Sequence, residues 1–219
     1  WYDDYTADAM TFTGGVIDKL QLTFPQDLGP IQVSADYRFA NVVNYPSTPT
    51  GGLAVDLAPT WLYAADTALY LNDNSGAIGI SQVLDTMYDG TLTVTNNVDV
   101  KRMMNGSNTR YQVTGYSRGP RTVEASFTFS KSAQEAAEVA KWLNANAQER
   151  FVSLDTTSTA LASVGVNYQH TVKFAGYWFT RTDTTVNTNT AVQLVMQGVY
   201  DTALGYPIRP RVVNQLSAL

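Results

Sequence analysis

Arg121-Thr122-Val123-Glu124-Ala125-Ser126-Phe127-Thr128-Phe129 decides the fold class. Val123, Ala125, Phe127 and Phe129 fall on one face of an extended chain and Glu124, Ser126 and Thr128 on the other. That period of two belongs to a strand with one side buried. Just beyond it, Ser132 followed by Glu135 fits a helix capping box, and Ala133, Ala136, Ala137, Ala140, Leu143 and Ala147 recur at helical spacing. The spacing predicts a helix over 133–147 with its alanine face packed closely on a sheet.

Working outward, the alternation recurs in both directions. Leu20, Leu22 and Phe24 form one face of a strand that ends at the turn Pro25 to Pro30. Ile31, Val33, Ala35, Tyr37 and Phe39 then alternate with Gln32, Ser34, Asp36 and Arg38, which reads as one dry and one wet face. From Asn41 to Thr60 the breakers Pro46, Pro49, Gly51, Gly52 and Pro59 predict a long loop, either a tolerated surface insertion or a contact loop to another subunit. Short strands are expected at Thr67 to Leu71, at Ala77 to Ile80 and around Leu92 and Val94. Asn105-Gly106 and the cluster Gly115 to Pro120 read as turns.

After the helix, Phe151 to Leu154 reads as a short strand and Thr156 to Ser163 as a polar linker. Val166, Tyr168, His170, Val172 and Phe174 alternate again, with continuation through Tyr177 to Phe179. Thr182 to Thr190 reads as a turn region, and Val192, Leu194 and Met196 lead a last strand. The expected fold is mainly β: a two-sheet β-sandwich with one packed α-helix, a long loop and extended terminal arms. Residues 1–10 form the N-terminal arm, 11–204 a single domain and 205–219 the C-terminal arm.

Composition narrows the function. The charged fraction is 15% and the net charge −5, which lacks the excess of Lys and Arg that grips nucleic-acid phosphates. There is no Cys, so thiolate metal sites, disulfides and Cys nucleophiles are ruled out. No run approaches the roughly 18 apolar residues of a membrane-spanning helix. The start Trp1-Tyr2-Asp3-Asp4 has no signal-peptide pattern and no initiator Met, and reads as processed or incomplete.

His170 is the sole histidine; in register with Val166, Tyr168, Val172 and Phe174, it reads as structural. Asp3, Asp4 and Asp8 lack the glycine-turned spacing of a calcium loop and read as solvated. No phosphate-binding glycine loop is present, because Gly14-Gly15 precedes a strand pattern. Asn105-Gly106-Ser107 spells a glycosylation sequon and reads as a chance match in a turn. Trp61, Tyr63, Trp142, Tyr168, Tyr177 and Trp178 suit core and interface packing, with a sugar-stacking platform as the alternative. No catalytic, metal or cofactor-binding residues are assigned and no cofactor is expected; a facing carboxylate pair for glycoside hydrolysis is the enzymatic alternative.

The order of parts resembles the major tail tube proteins of long-tailed, siphovirus-type bacteriophages. The likeness rests on Phe12-Thr13-Gly14-Gly15-Val16-Ile17-Asp18-Lys19-Leu20 opening an alternating strand, on the strand and Pro-rich loop that follow, and on Arg121 to Phe129 running into the Ala-rich helix with Trp142. It covers roughly Thr11 to Leu154. The resemblance implies a non-enzymatic structural virion protein in rings, hexameric in most of the family, stacked into a tube. Its partners would be other copies of itself, other tail proteins, the tape measure protein, and double-stranded DNA that passes through the lumen without tight binding. It would assemble in the host cytoplasm and reside in the virion tail. A tail terminator, a distal tail protein or a carbohydrate-binding β-sandwich are the alternatives.

Arms and a long loop suit a self-assembling subunit, since a partner offsets the entropy lost in ordering them. The candidate inter-subunit contacts are Asp3, Asp4 and Asp8 at one end, Pro46 and Pro49 in the loop, and Arg209 and Arg211 at the other end. The two ends carry opposite charge, which steers encounter and sets register.

Overall fold

The computed structural model describes residues 9–39, 41–45, 60–74, 77–84, 86–101, 115–144 and 148–213. The strands are β1 (Ala9–Thr13), β2 (Val16–Phe24), β3 (Gln32–Arg38), β4 (Asn41–Tyr45), β5 (Thr67–Asp73), β6 (Gln82–Val83) and β7 (Met87–Thr95). Then come β8 (Val98–Lys101), β9 (Gly115–Arg118) and β10 (Thr122–Ser130), followed by the helix α1 (Ala133–Leu143). The rest of the chain supplies β11 (Arg150–Ser163), β12 (Val166–Val186), β13 (Asn189–Val199) and β14 (Ile208–Val213). The fold is mainly β, with one large sheet in the order β3-β2-β7-β10-β13-β12-β11-β5-β6, β14 added on β12, and the small pairs β1-β4 and β8-β9. Large and small sheets with one helix are consistent with a β-sandwich.

The chain divides into two compact units. The smaller is Trp1–Leu20, Ala35–Pro59 and Thr95–Arg121; the larger is Gln21–Ser34, Thr60–Val94 and Thr122–Leu219. In the smaller unit Asp18 organises the backbone: its carboxylate accepts from Val98 N at 2.8 Å and from Arg38 Nε at 3.1 Å. The bond from the Val98 amide, helped by Arg38 and opposed by desolvation, holds the Asp18 carboxyl below its ordinary value of 3.8. A depressed folded-state value means the carboxylate stabilises above 3.8 and that contribution is lost as pH falls through the lower folded value. Melts of Asp18→Asn should therefore lie below wild type at neutral pH and converge with it in acid; parallel curves would reject that role.

The larger unit holds the core. Val123, Ala125, Phe127 and Phe129 of β10 are buried as the alternation requires, packed with Leu154, Phe174, Val192, Leu194 and Met196. Phe127 and Phe129 each meet Trp178 edge-on with ring centroids 6.3 Å apart, a geometry that adds to plain burial. Ile31 N donates to Leu62 O at 2.8 Å and Ala64 N to Gly29 O at 2.9 Å. These bonds join the segment after β2 to the segment before β5, so within this unit the sheet curls round its core. At the β12–β13 pairing Gly176 faces Gly198, and a Cβ on Gly198 would lie 2.6 Å from Val123 Cβ. Gly198→Ala should lose about 1 to 3 kcal/mol in thermal unfolding.

Several expectations are corrected. Thr156 to Ser163 is no linker but the second half of β11, with Thr156, Ser158 and Ala162 buried. Thr is a good strand residue, and Thr156 Oγ1 meets Thr67 Oγ1 at 2.8 Å. Likewise β12 and β13 run through Thr182 to Thr190, and the turn is only Asn187-Thr188, at φ 47° and 71°. Two successive left-handed residues make the tight hairpin turn whose twist suits the flanking strands. Ala77 to Ile80 is a turn held by Asn72 Oδ1, which accepts from Gly79 N and Ile80 N; the strand there is β6. Part of the Gly115 to Pro120 cluster is β9, paired with β8.

The helix begins as expected, with Ser132 Oγ accepting from Glu135 N at 3.1 Å, but it ends at Leu143, where Asn144 turns extended. Residues 145–147 lie outside the described residues. Its alanine face does not pack: Ala133, Ala136, Ala137 and Ala140 are exposed while Glu135 and Glu138 are buried. The reason is a set of partners on the sheet that hold Glu138.

The arms and loop are also partly redrawn. Ala9–Thr13 pairs with Asn41–Tyr45 as β1 and β4, and Ile208–Val213 of the expected C-terminal arm is strand β14, hydrogen-bonded to β12. Residues 1–8, 46–59, 102–114 and 214–219 lie outside the described residues, and with them the tips of both arms, most of the Pro-rich loop and Asn105-Gly106.

Candidate functional site

Of the residues singled out in the sequence, Asp3, Asp4, Asp8, Pro46 and Pro49 lie outside the described residues. Arg209 and Arg211 are placed: both are exposed and alternate along β14. The remaining features fall into an uncovered strand and a buried charge cluster.

The uncovered strand is β3, the terminal strand of the large sheet. The alternation predicts one dry face, yet neither face is covered: Val33 is 65% exposed and Tyr37 52%. Tyr37 stacks on Phe39, ring centroids 5.8 Å apart and planes 17° from parallel, and Phe39 itself is 36% exposed. Periodicity identified the apolar side correctly; Ile31 at its start packs on the core, whereas Val33 and Tyr37 stay exposed. A terminal strand with bare apolar side chains is a surface shaped for association, because an edge offers backbone groups and the side chains offer area to remove from water.

The charge cluster lies where α1 crosses the larger unit. Arg150, at the start of β11, donates to Glu138 through Nε at 3.0 Å and Nη2 at 2.8 Å. Its Nη1 also reaches Asp73 of β5. Lys141 meets both Glu138 and Asp73 at 3.2 Å, and Trp178 Nε1 donates to Glu138 Oε2 at 2.9 Å. Hydrogen bonding to Lys141 holds the Asp73 carboxyl below its ordinary value, with desolvation opposing and the charges of Arg150 and Lys141 assisting. A cavity of about 240 Å³ opens beside this cluster, lined also by Leu71, Val83 and Gln134. Two cations and two carboxylates are matched to one another here, so the arrangement clasps the helix to the sheet.

Sequence reading missed this clasp. Its local signals were the Glu138–Lys141 spacing of three on one helix and Arg150 abutting the apolar run of β11, and neither names its partner. Trp142, also on the helix, donates from Nε1 to Phe179 O at 3.4 Å. Phe179 sits at the register break in β12 and is 69% exposed.

His170 is opposite Thr156 on β11 and Val212 on β14, and burial lowers its pKa, favouring the neutral ring. Burial, reinforced by the negative charge of Asp201, raises the Glu149 carboxyl above its ordinary value, while Asn74 opposes. Among the described residues no group of three or more His, Cys, Asp or Glu is placed to hold a metal ion. The six aromatics do not share one platform: Trp178 is in the core, whereas Trp61 and Tyr63 are 57% and 41% exposed. Among the described residues no helix is long and apolar enough to cross a membrane.

No protein-family model matches the chain, and no curated protein matches it.

Proposed function

We propose that this chain is a structural subunit that self-assembles into stacked rings forming a bacteriophage tail tube, through which double-stranded DNA passes into the host. The observation that carries the reading is β3: an edge strand on which, among the described residues, the apolar side chains of Val33 and Tyr37 are exposed. A monomer gains nothing from that pattern, whereas neighbouring copies gain both apolar burial and edge pairing. The resemblance of element order to tail tube proteins supports the reading, as does a net charge of −5, since an acidic wall does not hold passing phosphates. The tape measure protein and other tail proteins are the further partners.

Electron microscopy of the concentrated protein tests this. Hollow tubes of stacked rings support it. Isolated rings favour a terminator or distal tail role, and a stable monomer at all concentrations rejects self-assembly.

A further inference from the structure

After β13 the chain turns at Asp201, whose carboxylate accepts from Leu204 N at 2.6 Å, with Gly205 at φ 74°. It returns on the same side of β12: Val199 pairs with Ala175 and Ile208 with the next residue, Phe174. β14 therefore prolongs the line of β13 along β12, and its side chains are held in register. Arg209 is opposite Lys173, and Arg211 is opposite Thr171. Val172 and Phe174, buried on the core side, alternate with these positions, so Arg209, Arg211 and Lys173 share the other face of the pair, with Arg209 and Arg211 exposed and Lys173 half-buried beside the Gly79 turn. Arg209 is further fixed by its guanidinium lying 5.8 Å from the Tyr206 ring centroid.

Three cations thus stand together, and Arg209 and Lys173 are directly opposite, an arrangement that disfavours the isolated strand pair. The acidic side chain facing them from a packed strand is Asp155 of β11, opposite Thr171, and it accepts from Ser153 Oγ at 2.7 Å. Among the described residues none of the three cations is in an ion pair. A short segment of opposite charge lies at the other end of the sequence: Trp1 to Asp8 carries Asp3, Asp4 and Asp8 and no Lys or Arg.

We propose that the row Arg209, Lys173 and Arg211 is the seat for the acidic segment Trp1 to Asp8 of a second copy of the chain. The proposal rests on the self-assembly reading above and names the partner segment. Charge matching places the segment, and its Trp1, Tyr2 and Tyr5 add contact area. The attraction weakens with salt, because screening acts over about 8 Å at physiological ionic strength.

The test uses a labelled peptide of residues 1–8 and the full chain held below its assembly concentration, read by fluorescence anisotropy. Expected is saturable binding at low salt, at least ~10-fold weaker to Arg209→Glu/Arg211→Glu. A peptide carrying Asp3→Asn and Asp4→Asn should also bind more weakly, by less than the charge reversal at the two arginines. Circular dichroism melts should leave the double variant folded, since both arginines are exposed. Mixing Arg209→Glu/Arg211→Glu chains with Asp3→Lys/Asp4→Lys chains should restore association better than either alone, which only contact between copies produces. Tubes from wild type combined with peptide binding indifferent to the arginines would overturn the seat and leave self-assembly standing. Charge-dependent peptide binding without tubes would support the seat and count against the tube reading.

Discussion

Arg150→Met should destabilise the larger unit by about 3 to 5 kcal/mol, because it strands Glu138 under the helix without its two charge-assisted bonds. Arg150 is 2% exposed and Glu138 7%, so water from the adjoining cavity replaces only part of what is lost. Trp178 Nε1 still donates to Glu138, and Lys141 still lies 3.2 Å away, yet the indole carries no charge and Lys141 is shared with Asp73. Urea unfolding followed by Trp fluorescence measures the loss directly. The companion variant decides the cause. Arg150→Met with Glu138→Gln removes both charges while keeping an acceptor for Trp178, and should regain more than half of the loss. If the double variant is as unstable as the single, the cost arises from packing of the arginine stem and the clasp is not electrostatic.

That clasp marks where sequence reading stops. The strands around Phe24, Phe127, Phe174 and Leu194 were legible because alternation is a local signal, and the helix start was legible because Ser132 caps within its own turn. The buried face of α1 was not. Small residues at helical spacing read as a packing stripe, but burial was decided by Arg150 and Trp178, which are 12 and 40 residues from Glu138. Threonine-rich stretches were misread for a related reason. Thr and Asn occur in turns, yet in Thr182 to Thr190 only Asn187 and Thr188 have left-handed backbones, and the rest pair along β12 and β13. Composition signals a turn over a window; pairing partners decide which two residues make it.

The charged end of the chain was half legible. Arg209 and Arg211 were visible as unmatched cations, but Lys173 is 36 residues from Arg209 and joins them only through the register of β14 on β12. The candidate contacts Asp3, Asp4, Asp8, Pro46 and Pro49 lie outside the described residues, and the binding and mixing experiments probe the acidic ones.

On the proposed tube reading, Val33→Lys combined with Tyr37→Lys should abolish assembly at concentrations where wild type polymerises. Both side chains lie on one face of β3, 65% and 52% exposed, so the fold loses little and melting should shift by no more than about 0.5 kcal/mol equivalent. Association loses far more. Covering each side chain is worth about 1 to 2 kcal/mol at roughly 25 cal/mol per Å² of apolar area, and two lysines per copy would face one another's strand across every contact. A loss of about 2 to 4 kcal/mol per contact weakens each by about 30- to 1000-fold, and a ring multiplies the effect because all contacts are equivalent. Sedimentation and negative-stain microscopy of the purified variant read the outcome. Val33→Thr with Tyr37→Phe, which keeps shape and most of the apolar area, should assemble nearly as wild type. If the double lysine variant forms tubes at the wild-type concentration, the bare face of β3 lies outside the subunit interface, and association must be sought at β14 or in the arms.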